Sequence, residues 1–293
     1  MKAWPVVVLA AMILAGCAHP RAKHGAITQA PGTRGVVDNT SAPQSQRYHQ
    51  ARDGSPEDAD IRRIEQLPLP VPKVEPRSRY GNKSPYTVLG RTYTVLPSAQ
   101  GYHERGIASW YGTKFHGHLT SSFEPYDMYS FTAAHKSLPL PTYARVTNLD
   151  NGKSVVVRVN DRGPFHENRL IDLSYAAAVR LGIWQKGTGL VDVEVIEPAD
   201  AAGAASPPPA VEVASRARLY LQVGAFADAG NAERLAAQLR AMQTGEVRVV
   251  TAEVNGRTLR RVRIGPLDSV DIADRLADRI HQQGLPRAQA IVE

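Results

Sequence analysis

Apolar residues are spread unevenly along this 293-residue chain, and their spacing changes character from one stretch to the next. Behind Lys2, Trp4 to Gly16 is almost uninterrupted apolar sequence, well short of the roughly 20 residues a bilayer-spanning helix needs. From Ala18 to about Arg79 the chain is rich in Pro, Ser, Gln and charge, with Leu67-Pro68-Leu69-Pro70-Val71-Pro72 as its one apolar cluster. Such a composition does not offset the entropy of ordering, so this stretch reads as a tether. As a flexible coil, about 60 residues reach roughly 40 to 47 Å.

Short β-rich runs follow: Thr92 to Leu96, Gly106 to Tyr111, Tyr129 to Ala133, Tyr143 to Asn148, Ser154 to Asn160 and Leu190 to Ile196. Asp150-Asn151-Gly152 between two of them is a hairpin signal. Leu170 to Gly182 contains one short helix, with Ser174 as N-cap and Gly182 as its stop. Many short strands with one helix predict a small barrel over 80–198. Ala199 to Ser215, with Ala-Ala-Gly-Ala-Ala and Ser206-Pro207-Pro208-Pro209, reads as a spacer.

Residues 216–293 repeat internally at an offset of 41, where Val223-Gly224-Ala225-Phe226 meets Ile264-Gly265-Pro266-Leu267 and Ala232-Glu233-Arg234-Leu235 meets Ala273-Asp274-Arg275-Leu276. Each half reads strand, helix, strand, with Leu235, Leu239 and Met242 lining one helix and Ile272, Leu276 and Ile280 the other. This predicts a β-α-β-β-α-β sandwich, one sheet under two helices. RNA-binding modules share that topology, but their aromatic signature is missing: only Tyr220 and Phe226 are aromatic here.

The formal charge of +7 is diluted over the chain, much of it in the tether, which argues against nucleic acid. The single cysteine, Cys17, excludes an internal disulfide. It closes Leu14-Ala15-Gly16-Cys17 behind the apolar run, the order of a secretory signal. That segment resembles a bacterial lipobox, which implies removal of residues 1–16, lipid attachment at Cys17 and, with Ala18 rather than Asp following, sorting to the outer membrane facing the periplasm.

Eleven of the nineteen aromatic residues fall in 105–197, and rings among polar neighbours suit sugars. Glycosidic cleavage needs a protonated acid at the leaving oxygen, and the loop carboxylates here are Glu124, Asp127, Asp161, Glu167 and Asp172. Each alone is more often a turn residue; Asp172 reads as a helix-capping group, and His135 as a structural histidine. No metal-ligand spacing and no phosphate loop appear, so neither metal nor cofactor is expected.

Gly106-Ile107-Ala108-Ser109-Trp110-Tyr111-Gly112, Glu124-Pro125-Tyr126-Asp127-Met128, Thr132-Ala133-Ala134-His135 and Val157-Arg158-Val159-Asn160-Asp161-Arg162-Gly163-Pro164-Phe165 together resemble the rare lipoprotein A (RlpA) family. Residues 216–293 resemble a SPOR domain, through Gln222-Val223-Gly224-Ala225-Phe226 and Arg261-Val262-Arg263-Ile264-Gly265-Pro266. The resemblance implies a mainly β, six-stranded double-psi β-barrel joined to an α+β SPOR module. It also implies an endolytic lytic transglycosylase, cutting MurNAc–GlcNAc bonds of peptide-free peptidoglycan strands with anhydro-MurNAc formation at the division septum.

Carried over residue by residue, the general acid falls on Glu124, the second carboxylate on Asp161 and a neighbouring histidine on His135. Trp110, Tyr111 and Asn160 are the expected sugar contacts of the barrel, and Gln222, Phe226 and Arg261 those of the SPOR module. The acid has to keep its proton near neutral pH, and burial among Phe123, Tyr126 and nearby rings is the expected means. Phe123 stands where the family has Gly, so a reshaped loop is expected because a bulky residue resists positive φ. A second reading stays open: a non-catalytic peptidoglycan-binding division lipoprotein, expansin-like or a scaffold for other septal proteins.

Overall fold

The computed structural model describes residues 44–48, 50–56, 61–198 and 217–293. The expected signal, Cys17 and the spacer 199–215 lie outside the described residues. A helical turn α1 (Gln44–Arg47) and a short helix α2 (Ile61–Gln66) precede a hairpin, β1 (Tyr86–Val88) and β2 (Arg91–Tyr93). Six strands then close into a barrel in the order β3-β7-β4-β6-β5-β8. They are β3 (His103–Tyr111), β4 (Thr132–His135), β5 (Thr142–Asn148), β6 (Ser154–Asp161), β7 (Ile171–Ser174) and β8 (Gly189–Val195). Two pairings, β3 with β7 and β4 with β6, are parallel, and the rest are antiparallel.

Alternation builds the barrel core. Val155, Val157 and Val159 of β6 are each at most 1% exposed, and Ile171 and Leu173 of β7 are fully enclosed. The hairpin joining β5 to β6 turns at Gly152 with φ +71°, as the Asp-Asn-Gly signal predicts. Helix α3 (Tyr175–Leu181) starts where Ser174 accepts a hydrogen bond from the Ala177 amide and stops at Gly182 in the left-handed region.

Two differences from the sequence expectations bear on the site. β7 is a strand of the barrel that no run predicted, because four residues are too few to show a period. The segment read as tether also carries packing: Ile64 of α2 is 2% exposed within the barrel core, and Arg180 Nη2 donates to the Leu67 carbonyl at 2.9 Å. The folded body therefore starts before Tyr80.

The terminal module is β9 (Leu219–Phe226), α4 (Ala229–Ala241), β10 (Val247–Val254), β11 (Arg257–Leu267), α5 (Val270–Gln282) and β12 (Gln289–Val292), with sheet order β10-β11-β9-β12. The repeat is visible in the packing, since Ala232, Leu239, Ala273 and Ile280 are all fully enclosed. Ile272 departs from expectation and is 37% exposed. At about 100° per residue it lies roughly a quarter-turn from the middle of the stripe formed by Ala273, Leu276, Ala277 and Ile280.

Candidate active site

Four barrel strands bring one residue each into a single row. Ser109 on β3 pairs with Asp172 on β7, Asp172 with Ala134 on β4, and Ala134 with Asp161 on β6. Residues opposite one another in a sheet share a face, so both carboxyls project on the side of Ala134. Two strand spacings separate their backbones, about 9.5 Å. Above the row opens a groove of about 840 Å³, walled by Tyr111, Phe115, Phe165, Tyr48 and Arg47, with Phe123 at its side.

Asp161 reaches this face only through a β-bulge. Ala133 pairs with Val159 but Ala134 pairs with Asp161, which leaves Asn160 as an extra residue. By plain alternation Asp161 would follow Val157 and Val159 into the barrel core; the inserted residue turns it out into the groove. The bulge is held from outside. Asn160 Nδ2 donates to Glu124 Oε2 at 2.7 Å, and Arg158 donates to both Glu124 oxygens at 2.6 and 2.9 Å. A second carboxylate, Glu75, takes the other edge of Arg158.

Glu124 is therefore in an ion pair, not an apolar sheath. Its side chain is 39% exposed and does not line the groove, and Tyr126 is buried elsewhere, donating its hydroxyl to the Tyr111 carbonyl at 2.5 Å. The expected burial of Glu124 among Phe123 and Tyr126 is not what the structure shows. Phe123 itself takes the left-handed conformation, with φ +62°, and its ring leans on Tyr80 with centroids 4.3 Å apart. A non-glycine residue held there costs about 1–2 kcal/mol.

His135 is 2% exposed and has a structural part. Its Nδ1 accepts from the amides of Ser137 and Leu138 at 3.2 and 3.0 Å, so the proton sits on Nε2 and is donated to the Tyr102 hydroxyl at 3.0 Å. Burial, with the charges of Lys136 and Arg162, pushes its pKa down to about 3. It does not line the groove.

The remaining carboxylates sort by their contacts. Asp127 accepts from the Tyr129 amide and Ser130 hydroxyl within its own turn, and Glu167 is paired with Arg91 and Arg287. Asp161 and Asp172 are the two acidic residues that line the groove, and both are partly buried. Burial raises the Asp161 carboxyl against three donors that favour its anion: the Ser121 amide at 2.7 Å, the Ser121 hydroxyl at 2.6 Å and the Arg162 amide at 2.7 Å. Burial also pushes Asp172 up to about 6, with the Asp161 charge adding to it and the Ser109 hydroxyl, Arg169 and Lys136 opposing. Tyr111, enclosed beside both, is held well above the ordinary phenol range by burial and by those two charges.

Of the expected sugar contacts, Tyr111 lines the groove but spends one ring face on Tyr126, stacked at 4.1 Å. Trp110 pairs with Leu173, on the opposite face, and donates Nε1–H to the Trp184 carbonyl at 3.2 Å. Asn160 meets Glu124 instead of the groove. In the terminal module a second bulge lies at Val223, since Gln222 pairs with Arg263 and Gly224 with Val262. Gln222, Arg261 and Arg263 share one face of the sheet, on which Arg263 is buried and paired with Glu293, whereas Phe226 packs with Leu235 on the other face, over the position a Gly224 Cβ would fill. Phe226 is thus not beside Gln222. Among the described residues no cluster of His, Cys, Asp and Glu is arranged to hold a metal.

The family described as Lytic transglycolase matches residues 103–195, and that described as SPOR domain matches residues 215–290. Endolytic peptidoglycan transglycosylase RlpA of Pseudomonas aeruginosa is 43% identical over 287 residues, covering 80% of this chain and 82% of its own. This chain belongs to the RlpA family. The RlpA of Vibrio cholerae is 55% identical over 150 residues, which cover 51% of this chain and 56% of that protein. A crystal structure of the RlpA SPOR domain from Pseudomonas aeruginosa is 38% identical, covers 25% of this chain and 96% of that one, and has a TM-score of 0.24. In this RlpA-family chain the closed barrel is the double-psi domain and the β-α-β-β-α-β module is the SPOR domain.

Proposed function

We propose that this chain is an endolytic lytic transglycosylase of peptidoglycan, acting in the groove above Asp161. The relatives that carry this name set the reaction class. One observation ties it to this molecule: a bulge on β6 aims Asp161, held by three donors, into a groove walled by aromatic rings. A carboxylate so held stabilises positive charge developing at the anomeric carbon. The primary hydroxyl of the same MurNAc then closes the anhydro ring, and no water is consumed. Glu124 acts through Asn160 and Arg158, fixing the bulge, and is a positioning residue in this reading. His135 fixes the end of β4, whose carbonyl accepts from Arg162 Nη1 at 3.0 Å.

Phe123 and Tyr80, 47% and 43% exposed, offer rings beside the groove on which a sugar face can stack. The SPOR sheet supplies Gln222 and Arg261, polar groups suited to a glycan stripped of peptides, and the same module directs the protein to the septum. Lipid on Cys17 holds the chain at the outer membrane. Mass spectrometry of products from peptide-free glycan tests the reaction. Wild type is expected to give anhydro-MurNAc ends and Asp161→Asn to lose at least a hundredfold in rate. An inert wild type that still binds sacculi would make this a wall-binding protein instead. Deleting residues 217–293 should disperse it from midcell, and Cys17→Ser should free it from membranes.

A further inference from the structure

Resting on the reaction just proposed, we propose that Asp172 is its proton carrier, acting first as general acid and then as general base opposite the Asp161 carboxylate. In the first step the Asp172 carboxyl proton goes to the glycosidic oxygen. The C1–O bond breaks with its electron pair leaving on that oxygen, and Asp161 faces the cationic C1. In the second step the MurNAc O6 forms the new bond to C1, and its proton returns to Asp172. Atoms and charge balance without water or any further reactant.

The geometry carries this assignment. Asp172 stands in the same row as Asp161 with only the methyl of Ala134 between them, and a gap of about 9.5 Å between backbones admits a pyranose ring. The two carboxyls are also dressed differently. Asp161 accepts three hydrogen bonds, two of them from backbone amides that cannot turn away, an arrangement that suits a permanent anion. Asp172 has a single close partner, the Ser109 hydroxyl, whose rotor can either donate to the anion or accept from the acid. Burial raises both carboxyls, and the difference in their fixed donors is what divides the acid and anion roles between them. The value near 6 for Asp172 agrees with this division, and it is set by burial and Asp161 against Ser109, Lys136 and Arg169. Glu124, tied to Arg158 and Asn160, is left the positioning task.

The test measures anhydro-product release by full-length protein from peptide-free glycan across pH 4 to 8, with binding to sacculi and thermal melting read alongside. Wild-type kcat/KM should fall as pH rises through about 6, because the acid must hold its proton. Asp172→Asn should lose at least a hundredfold in kcat while melting no lower than wild type and still binding sacculi. Ser109→Ala, which removes a donor to the anion, should move the descending limb to higher pH whatever its kcat; a merely structural Asp172 would leave that limb in place. Asp172→Asn within tenfold of wild type, or a limb unmoved in Ser109→Ala, would overturn the assignment. A product with reducing MurNAc ends that still depends on Asp172 would overturn transglycosylation and leave the acid in place.

Discussion

The barrel and the SPOR module each carry a one-residue β-bulge, and the two send their strands' side chains in opposite directions. On β6 the extra Asn160 takes Asp161 out of the core and into the groove; on β9 the extra Val223 takes Phe226 off the face shared by Gln222 and Arg261 and onto the helices. In the first case a charged residue is spared burial that would cost several kcal/mol, and in the second an aromatic ring gains burial. What a strand residue does is thus decided by the count of residues before it as much as by its own chemistry.

Deleting a bulge residue breaks this comparison most directly. Removing Asn160 should restore simple alternation, drive Asp161 inward, abolish product and destabilise the barrel by about 3–5 kcal/mol, read as a lost or sharply lowered melting transition. Removing Val223 should expose Phe226, weaken the SPOR core by about 1–3 kcal/mol and leave the barrel's own cleavage of soluble glycan in place.

A milder change sharpens the same point. Glu124→Gln keeps the shape of the side chain but weakens its grip on Arg158 and Asn160, so about a tenfold fall in kcat is expected, with the pH of half-activity unchanged. A shifted pH profile in that variant would instead make Glu124 a proton donor.

Much of the architecture is legible from periodicity. The β-rich run that becomes β6, the Asp-Asn-Gly turn, the Ser174 and Gly182 caps and the 41-residue repeat are patterns in the sequence that the structure bears out. The site is less legible for physical reasons. A bulge leaves no mark in composition, so the facing of Asp161 and Phe226 is decided by pairing with distant strands. Asp172 precedes a Ser that caps α3 and so resembles a capping residue, while β7, its strand, spans only Ile171–Ser174. Ile64 is a lone apolar residue in polar surroundings, and only the packed structure reveals that it joins the barrel core.

Two titrations set against each other give a smaller effect. His135, at about 3 when folded and near 6.5 when free, stays neutral in the native state while the unfolded chain takes up a proton, so its contribution to stability is lost as pH falls below 6.5. Asp172, raised to about 6 from an ordinary 3.8, does the reverse: the native state holds the extra proton, and stability is lost as pH rises from about 4 to 6. In wild type the two slopes oppose each other. In Asp172→Asn only the histidine slope remains, so its melting temperature should fall more steeply between pH 6 and 4. The smallest effect belongs to Phe123→Gly, which should raise stability by about 1 kcal/mol and increase KM severalfold.

That last residue ties two quantities together with opposite sign. A left-handed turn relaxed by glycine would make the protein sturdier and less adhesive to sugar, whereas the phenyl ring keeps a foothold for glycan at the expense of a stiffer, less comfortable loop. Selection for heat tolerance alone would therefore be expected to erase it, and selection for cutting sparse strands to keep it.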